Sequence, residues 1–327
     1  MERIITYSPA YTLVPTYECF NRCTYCNFRR NPGTDEWMTL AAARTILQRL
    51  QSQDVIEILI LSGEVHPRSP RRGEWFERIY QLCELALELG FLPHTNVGPL
   101  SYTEMEQLGQ VNVSMGLMVE QVTPVLLETV HAHAPSKLPE VRLQQLEFAG
   151  QLKIPFTTGL LLGLGETVAD WAESLRAIAQ SHSQWQHIQE VILQPHQPGE
   201  SQAERRAPCH GETLLQAVKI AREILPAEIT IQIPPNLIRS DDALLACILA
   251  GAHDLGGIGP IDEVNPDYGH RHRDAMAELM TSQGYYLSQR LPVYAKYDGW
   301  LPERLQAPVK RWRLHRKSSP TTKAGHD

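Results

Sequence analysis

The chain has no apolar stretch long enough to cross a bilayer. Its longest, Ala243–Ala252, falls well short of the roughly 20 residues that a spanning helix needs. Met1–Ala10 lacks the basic, apolar and small-residue succession of a secretory leader, so a cytoplasmic protein with no membrane partner is expected. Positive charge is in deficit as well: 30 Lys and Arg stand against 37 Asp and Glu, a formal net charge of -7. That argues against nucleic acid as a partner, because phosphate contacts need a concentrated positive surface. Cysteine is sparse, with Cys83, Cys209 and Cys247 scattered and the other three of six in one loop. Such a distribution is not the framework of a disulfide-stapled secreted domain. There is no internal repeat, no low-complexity linker and no second cysteine cluster, which excludes a duplicated two-module arrangement.

What is present is a regular alternation. With 327 residues, 43% hydrophobic and 20% charged, one large domain is the default. Short apolar runs predict eight strands near 12–15, 55–61, 92–96, 111–117, 156–162, 188–193, 229–233 and 255–258. Amphipathic stretches between them predict helices near 40–50, 75–89, 103–109, 139–152, 169–180, 213–224 and 241–250, with another at 273–282. Segment 119–136 fits neither pattern. Strand and helix in alternation make an α/β fold, a parallel eight-stranded (β/α) barrel of the TIM type. We divide the chain into an N-terminal extension (1–10), the barrel (11–266), a helical or irregular cover (267–305) and a basic, mobile tail (306–327).

The chemistry is concentrated in Glu18-Cys19-Phe20-Asn21-Arg22-Cys23-Thr24-Tyr25-Cys26-Asn27-Phe28. Three thiolates at this spacing, Cys19, Cys23 and Cys26, suit three irons of a cubane cluster and leave the fourth iron without a protein ligand. Two plainer readings compete. A zinc knuckle needs a fourth ligand, and the nearest downstream histidine is the distant His66. Core packing is the other, and the polar, Asn- and Arg-rich setting does not suit it.

This C-x3-C-x-Tyr-C loop resembles that of the radical S-adenosylmethionine enzymes. The resemblance implies a 4Fe–4S cluster whose open iron binds S-adenosylmethionine, with Tyr25 beside it. Barrel enzymes gather functional groups where strands end, and three motifs fall at such ends. Ser62-Gly63-Glu64 follows the second strand, and its counterpart in the superfamily contacts the cosubstrate; the alternative is an ordinary turn. Gly163 and Gly165 follow the fifth strand and resemble the segment that packs along the adenine. Glu120 emerges at the rim of the fourth strand, either as a ribose or substrate acceptor or as a solvated charge. Arg142 is a candidate partner for the cosubstrate carboxylate.

Further stretches, among them His133-Ala134-Pro135-Ser136-Lys137, Ile154-Pro155-Phe156-Thr157-Thr158-Gly159, Pro234-Pro235-Asn236-Leu237 and Asp254-Leu255-Gly256-Gly257-Ile258-Gly259-Pro260, resemble one branch of that superfamily. It is the cyclising subunit family of the deazaflavin synthases, and the likeness runs from about Pro15 to Pro266. It implies that a ribitylated tyrosine–uracil adduct is closed into a deazaflavin with loss of ammonia. Methionine and 5′-deoxyadenosine would be the co-products. It also implies two partners, a companion radical enzyme that makes the adduct and a reductant such as flavodoxin or ferredoxin.

Asn96, Thr157, Thr158, Gln194, Gln232 and Asn236 end or flank candidate strands and are the candidate substrate contacts. For the proton acceptor, the sequence leaves Glu120, His133, Asp254 and water all open. The chain departs from the branch pattern at Val65-His66-Pro67-Arg68, Pro195-His196-Gln197-Pro198-Gly199 and Asp267-Tyr268-Gly269-His270. Rival readings are the adduct-forming companion itself, a biotin-synthase-like radical enzyme, and a zinc-stabilised barrel without turnover.

Overall fold

The computed structural model describes residues 3–318, with side chains up to residue 315. In chain order the elements are β1 (Ile4–Leu13), α1 (Leu40–Leu50), β2 (Glu57–Leu61), α2 (Arg72–Glu88), β3 (Leu92–Asn96), α3 (Tyr102–Gly109) and β4 (Ser114–Gly116). They continue with α4 (Pro139–Gln151), β5 (Phe156–Leu162), α5 (Val168–Trp185), β6 (Ile188–Pro195), α6 (Gly211–Ile224), β7 (Thr230–Gln232), α7 (Asp241–Leu249) and β8 (Ala252–Ile258). The described chain ends with α8 (Arg273–Ser282), β9 (Tyr286–Gln289) and α9 (Glu303–Ser318).

All strand pairings are parallel, in the order β2-β3-β4-β5-β6-β7-β8-β1, and β1 closes the ring on β2. This is the expected eight-stranded (β/α) barrel. Helices α1 to α7 each lie between successive strands and bury one face on the sheet, as Leu47 of α1 and Trp75, Ile79 and Leu82 of α2 do in one cluster with Ile58 and Ile60. Local sequence starts several helices on schedule. Ser101 with Glu104 and Thr167 with Asp170 form reciprocal caps that satisfy otherwise unpaired N–H groups.

The strand pattern reads cleanly once burial is known. Residues of one parity face the barrel interior: Glu57, Leu59 and Leu61 from β2, His94 and Asn96 from β3, and Glu190, Ile192 and Gln194 from β6 line one cavity. The opposite parity packs under the helices.

Three expectations fail at the ends of the chain. The segment read as an N-terminal extension is strand: β1 starts at Ile4, and its ten residues serve two neighbours on one edge, β9 along Ile4–Tyr7 and β2 along Ala10–Leu13. No ninth strand was expected, yet β9 joins the sheet there. The tail read as mobile from residue 306 is largely α9, with Leu305 and Val309 fully buried. They pack with Leu291, Val293, Tyr297 and Leu301 against Ile56, Leu92 and Val113 at the strand N-termini, closing the lower face of the barrel. Residues 319–327 lie outside the described residues. Segment 119–136, unassigned from sequence, contains two short 3-10 turns, Pro124–Glu128 and Pro135–Lys137.

Candidate active site

The cysteine loop leaves the top of β1 and is built around a buried carboxylate. Glu18 accepts from the backbone N–H groups of Gly33 and Asp35 and from the Trp37 indole, and pairs with Arg71. Phe20 N–H donates to the Glu64 carbonyl, Arg22 N–H to that of His133 and Thr24 N–H to that of Val130, which stitches the loop to its neighbours. Gly63 is obligatory here. A Cβ on it would stand 2.1 Å from the Glu18 carbonyl oxygen, closer than any real contact.

Cys19, Cys23 and Cys26 are free thiols on the wall of one cavity of ≈ 220 Å³. Burial raises the Cys23 thiol to about 12 against an opposing pull from Lys137, and burial raises Cys19 as well. Such thiols ionise when a metal supplies the compensating charge. A cubane takes one thiolate per iron, so its three ligands need not converge on one point. Among the described residues no group of three or more His, Cys, Asp or Glu is placed to hold a single ion. A set of three thiols on one cavity wall fits a cubane with one open corner.

Opposite the thiols stands a ring of charges. Glu64 accepts from Asn21 Nδ2 at 2.9 Å and from Arg142 Nη2 at 3.0 Å. Asn21 also donates to Ser136 Oγ at 2.8 Å and approaches Cys19 Sγ at 3.6 Å, so one amide ties thiol, carboxylate and hydroxyl together. Arg142 is almost fully buried and donates from Nε to the Ser136 carbonyl. Lys137 pairs with Glu120. Burial raises the Glu120 carboxyl, but Lys137, Arg142 and His131 outweigh it and hold it below the usual carboxylate range. Glu120 has φ 68, an uncommon conformation for a side-chain-bearing residue. Tyr25, on the same cavity wall, meets His131 Nε2 through its hydroxyl at 3.0 Å.

A second cavity, of ≈ 200 Å³, runs down the barrel interior. The two share one wall: Leu61, Asn96, Met118, Gln194, Val264 and Asn265 line both. Contents of the cysteine cavity and contents of the barrel thus meet across the strand ends.

The structure gathers most of the sequence candidates. Tyr25, Ser62, Gly63, Glu64, Glu120 and Arg142 line the cysteine cavity. Thr157, Gln232 and Asn236 line the barrel cavity, while Asn96 and Gln194 stand on the shared wall. Ser62 Oγ is held by the Gly63 carbonyl and the Trp75 indole, so its part is to shape the turn.

Five candidates fall elsewhere. His133 is exposed and lines neither cavity; the buried histidine of that segment is His131. Asp254 is fully buried, with its oxygens taken by Arg290, Thr6 Oγ1 and Gly256 N–H, and it lines neither cavity. Thr158 faces away from the barrel interior, since parity sends its neighbour Thr157 inward, and its hydroxyl accepts from Val119 N–H at 3.3 Å. Gly163 and Gly165 have positive φ in an exposed turn closed by the Glu166 carboxylate. Neither lines the cysteine cavity; Leu161 does.

Sequence reasoning missed His131, Glu57, His94, Glu190 and Arg290. For Glu57 and His94 the signal was available: each shares strand parity with a residue that was selected or is apolar. For Arg290 there was none.

Comparison with known proteins now decides the family. Residues 13–178 match the Radical SAM superfamily. A 7,8-didemethyl-8-hydroxy-5-deazariboflavin synthase of Trichormus variabilis is 64% identical over 310 residues, covering 95% of this chain and 91% of that protein. The chain belongs to the deazaflavin synthases of the radical SAM superfamily. A synthase of the same name from Trichodesmium erythraeum is 58% identical over 314 residues, covering 96% of this chain and 98% of that one. Among solved structures, the FeFe-hydrogenase maturase HydG of Carboxydothermus hydrogenoformans superposes with a TM-score of 0.69 at 16% identity, covering 94% of this chain and 76% of its own. Methylornithine synthase PylB gives 0.67 at 16% identity, covering 91% and 86%. These two likenesses show the fold. Membership of the superfamily implies a 4Fe–4S cluster and S-adenosylmethionine. No helix among the described residues is long and apolar enough to cross a membrane.

Proposed function

We propose that the chain converts 5-amino-5-(4-hydroxybenzyl)-6-(D-ribitylimino)-5,6-dihydrouracil into 7,8-didemethyl-8-hydroxy-5-deazariboflavin, releasing ammonia, methionine and 5′-deoxyadenosine, as a carbon–nitrogen lyase. The observation that carries this reading is the pair of cavities with a common wall, in a chain 64% identical to a deazaflavin synthase. When bound, the cluster and cosubstrate supply a 5′-deoxyadenosyl radical that takes hydrogen from the benzylic carbon.

The chain's own groups hold the partners in place. Cys19, Cys23 and Cys26 are the cluster ligands. Arg142 presents a buried positive charge for the cosubstrate carboxylate, and Glu64 an acceptor for its ammonium; Glu120, oriented by Lys137, accepts from ribose hydroxyls. Asn96, Met118 and Gln194 keep the reacting carbon against the radical side. Holding that carbon inside the barrel limits competing hydrogen donors. Of the four sequence candidates for the proton acceptor in ring closure, Glu120 lies on the cysteine side, His133 on the surface and Asp254 behind Arg290, which leaves water. A companion radical enzyme supplies the adduct, and a flavodoxin or ferredoxin supplies electrons.

The test is an anaerobic assay of the reconstituted protein with either the adduct or free tyrosine plus the diaminouracil. Fluorescent deazaflavin from the adduct alone supports the proposal. Consumption of tyrosine instead would assign the chain to the companion step.

A further inference from the structure

The barrel cavity ends on side chains that the chemistry above leaves unused. Glu57, His94, Thr157, Glu190 and Arg290 line its floor, each more than nine-tenths buried. Most of their hydrogen-bonding capacity is spoken for. Arg290 donates from Nε and Nη2 to Asp254 at 2.6 and 2.9 Å, reaches Glu190 at 2.6 Å and donates from Nη1 to the Leu291 carbonyl. Glu190 also accepts from the Tyr294 and Thr157 hydroxyls at 2.8 and 3.2 Å.

Two acceptors remain. Ser114 Oγ donates to the Pro292 carbonyl at 2.6 Å, and a carbonyl offers no proton in return; Oγ must therefore accept from His94 Nδ1 at 2.7 Å. Burial lowers the His94 pKa, Glu57 opposes it and Arg290 lowers it further, which favours the neutral ring. With its proton fixed on Nδ1, Nε2 is a bare acceptor. It faces space kept by Gly116, where a Cβ would stand 3.0 Å away. On the neighbouring strand, no described donor reaches the Glu57 carboxylate.

A floor whose two free acceptors outnumber its one uncommitted donor, the second Nη1 hydrogen of Arg290, calls for a ligand group rich in O–H. His94 sits two residues below Asn96 on β3, about 7 Å deeper than the wall where the cavities meet. Its ligand group must therefore extend well away from the reacting carbon. Of the parts of the proposed substrate, the phenol offers one hydroxyl on a wide apolar ring and the pyrimidinedione mixes donors with acceptors; the ribityl chain is narrow and carries several hydroxyls. We infer that Glu57 and His94 form a subsite for the hydroxyls of the ribityl chain and set the enzyme's preference for a polyol-bearing substrate. This rests on the substrate reading above.

Calorimetric titration of the anaerobically reconstituted, unreduced protein tests it, using the ribityl adduct and a counterpart with an N-butyl chain. The unaltered protein is expected to bind the ribityl compound about 10- to 100-fold more tightly, the net yield of one or two hydrogen bonds to buried acceptors, one of them charged. Glu57→Gln, which keeps the shape, and His94→Leu should each erase about tenfold of that preference while leaving the butyl compound's affinity unchanged. Iron content and melting temperature check that the variants are intact. Equal weakening of both compounds in the variants, or no preference in the unaltered protein, would overturn the subsite while keeping the substrate. If the unaltered protein binds neither compound, the substrate reading falls and the subsite falls with it.

Discussion

Arg142 Nη2 donates to Glu64 Oε1 at 3.0 Å, joining α4 to the loop after β2 across 78 residues of sequence. Both side chains face the cavity that holds the three thiols. Removing Glu64 strands the buried Arg142 charge, which typically costs about 3–5 kcal/mol, whereas removing Arg142 leaves the partly buried Glu64 and costs toward the lower end of that range. Arg142→Ala should show that loss in denaturant unfolding. Glu64→Ala should weaken S-adenosylmethionine binding by calorimetry about 10- to 100-fold while keeping the iron; unchanged affinity would make Glu64 a turn residue only.

Gly63→Ala places a methyl group against the Glu18 carbonyl at 2.1 Å. The clash is with backbone, so the cysteine loop must shift while the barrel below it stays folded. Far-ultraviolet circular dichroism should be preserved, and iron per chain should fall toward that of Cys23→Ala. Full iron in Gly63→Ala would show that the loop tolerates displacement.

His187 is fully buried beside Phe156, and burial lowers its pKa from 6.5 to about 3. The sign follows from linkage. Above pH 6.5 the ring is neutral in both states and its contribution is intact; as pH falls toward 3 the unfolded chain takes up a proton that the folded chain refuses, and stability is lost. At pH 5 the loss amounts to about 2 kcal/mol. His187→Leu should therefore lose less stability than the parent between about pH 7.5 and pH 5, measured by anaerobic thermal unfolding. Parallel losses would show that other groups carry the acid sensitivity.

Leu305 and Val309 seal the lower barrel face from α9. Leu305→Ala should destabilise the protein by about 2–5 kcal/mol, the range for emptying a core position. A solvated tail would give almost none, so chemical denaturation separates the two pictures.

The barrel was legible because two periodicities alternate along the chain: strand segments 92–96 and 156–162 coincide with the observed β3 and β5. The thiol loop was legible because its spacing is local. What escaped notice was carried by long-range partners. The N-terminal half of β1 gains its strand identity from β9, some 280 residues later. Arg290 gains its role only by reaching Asp254 and Glu190 from the far end of the chain. Asp254 looked available because no local feature shows an arginine lying across it. Thr157 and Thr158 are alike in composition, and only strand parity in the closed barrel separates the cavity-lining residue from the outward one.

In the proposed reaction, a carbon held in the barrel gives up hydrogen across the wall shared with the thiol cavity. Turnover of the adduct deuterated at its benzylic carbon, followed by mass analysis of the nucleoside, tests this most directly. One deuterium in 5′-deoxyadenosine, formed in proportion to fluorescent deazaflavin, is the expected result. Deazaflavin formed with unlabelled 5′-deoxyadenosine would contradict it.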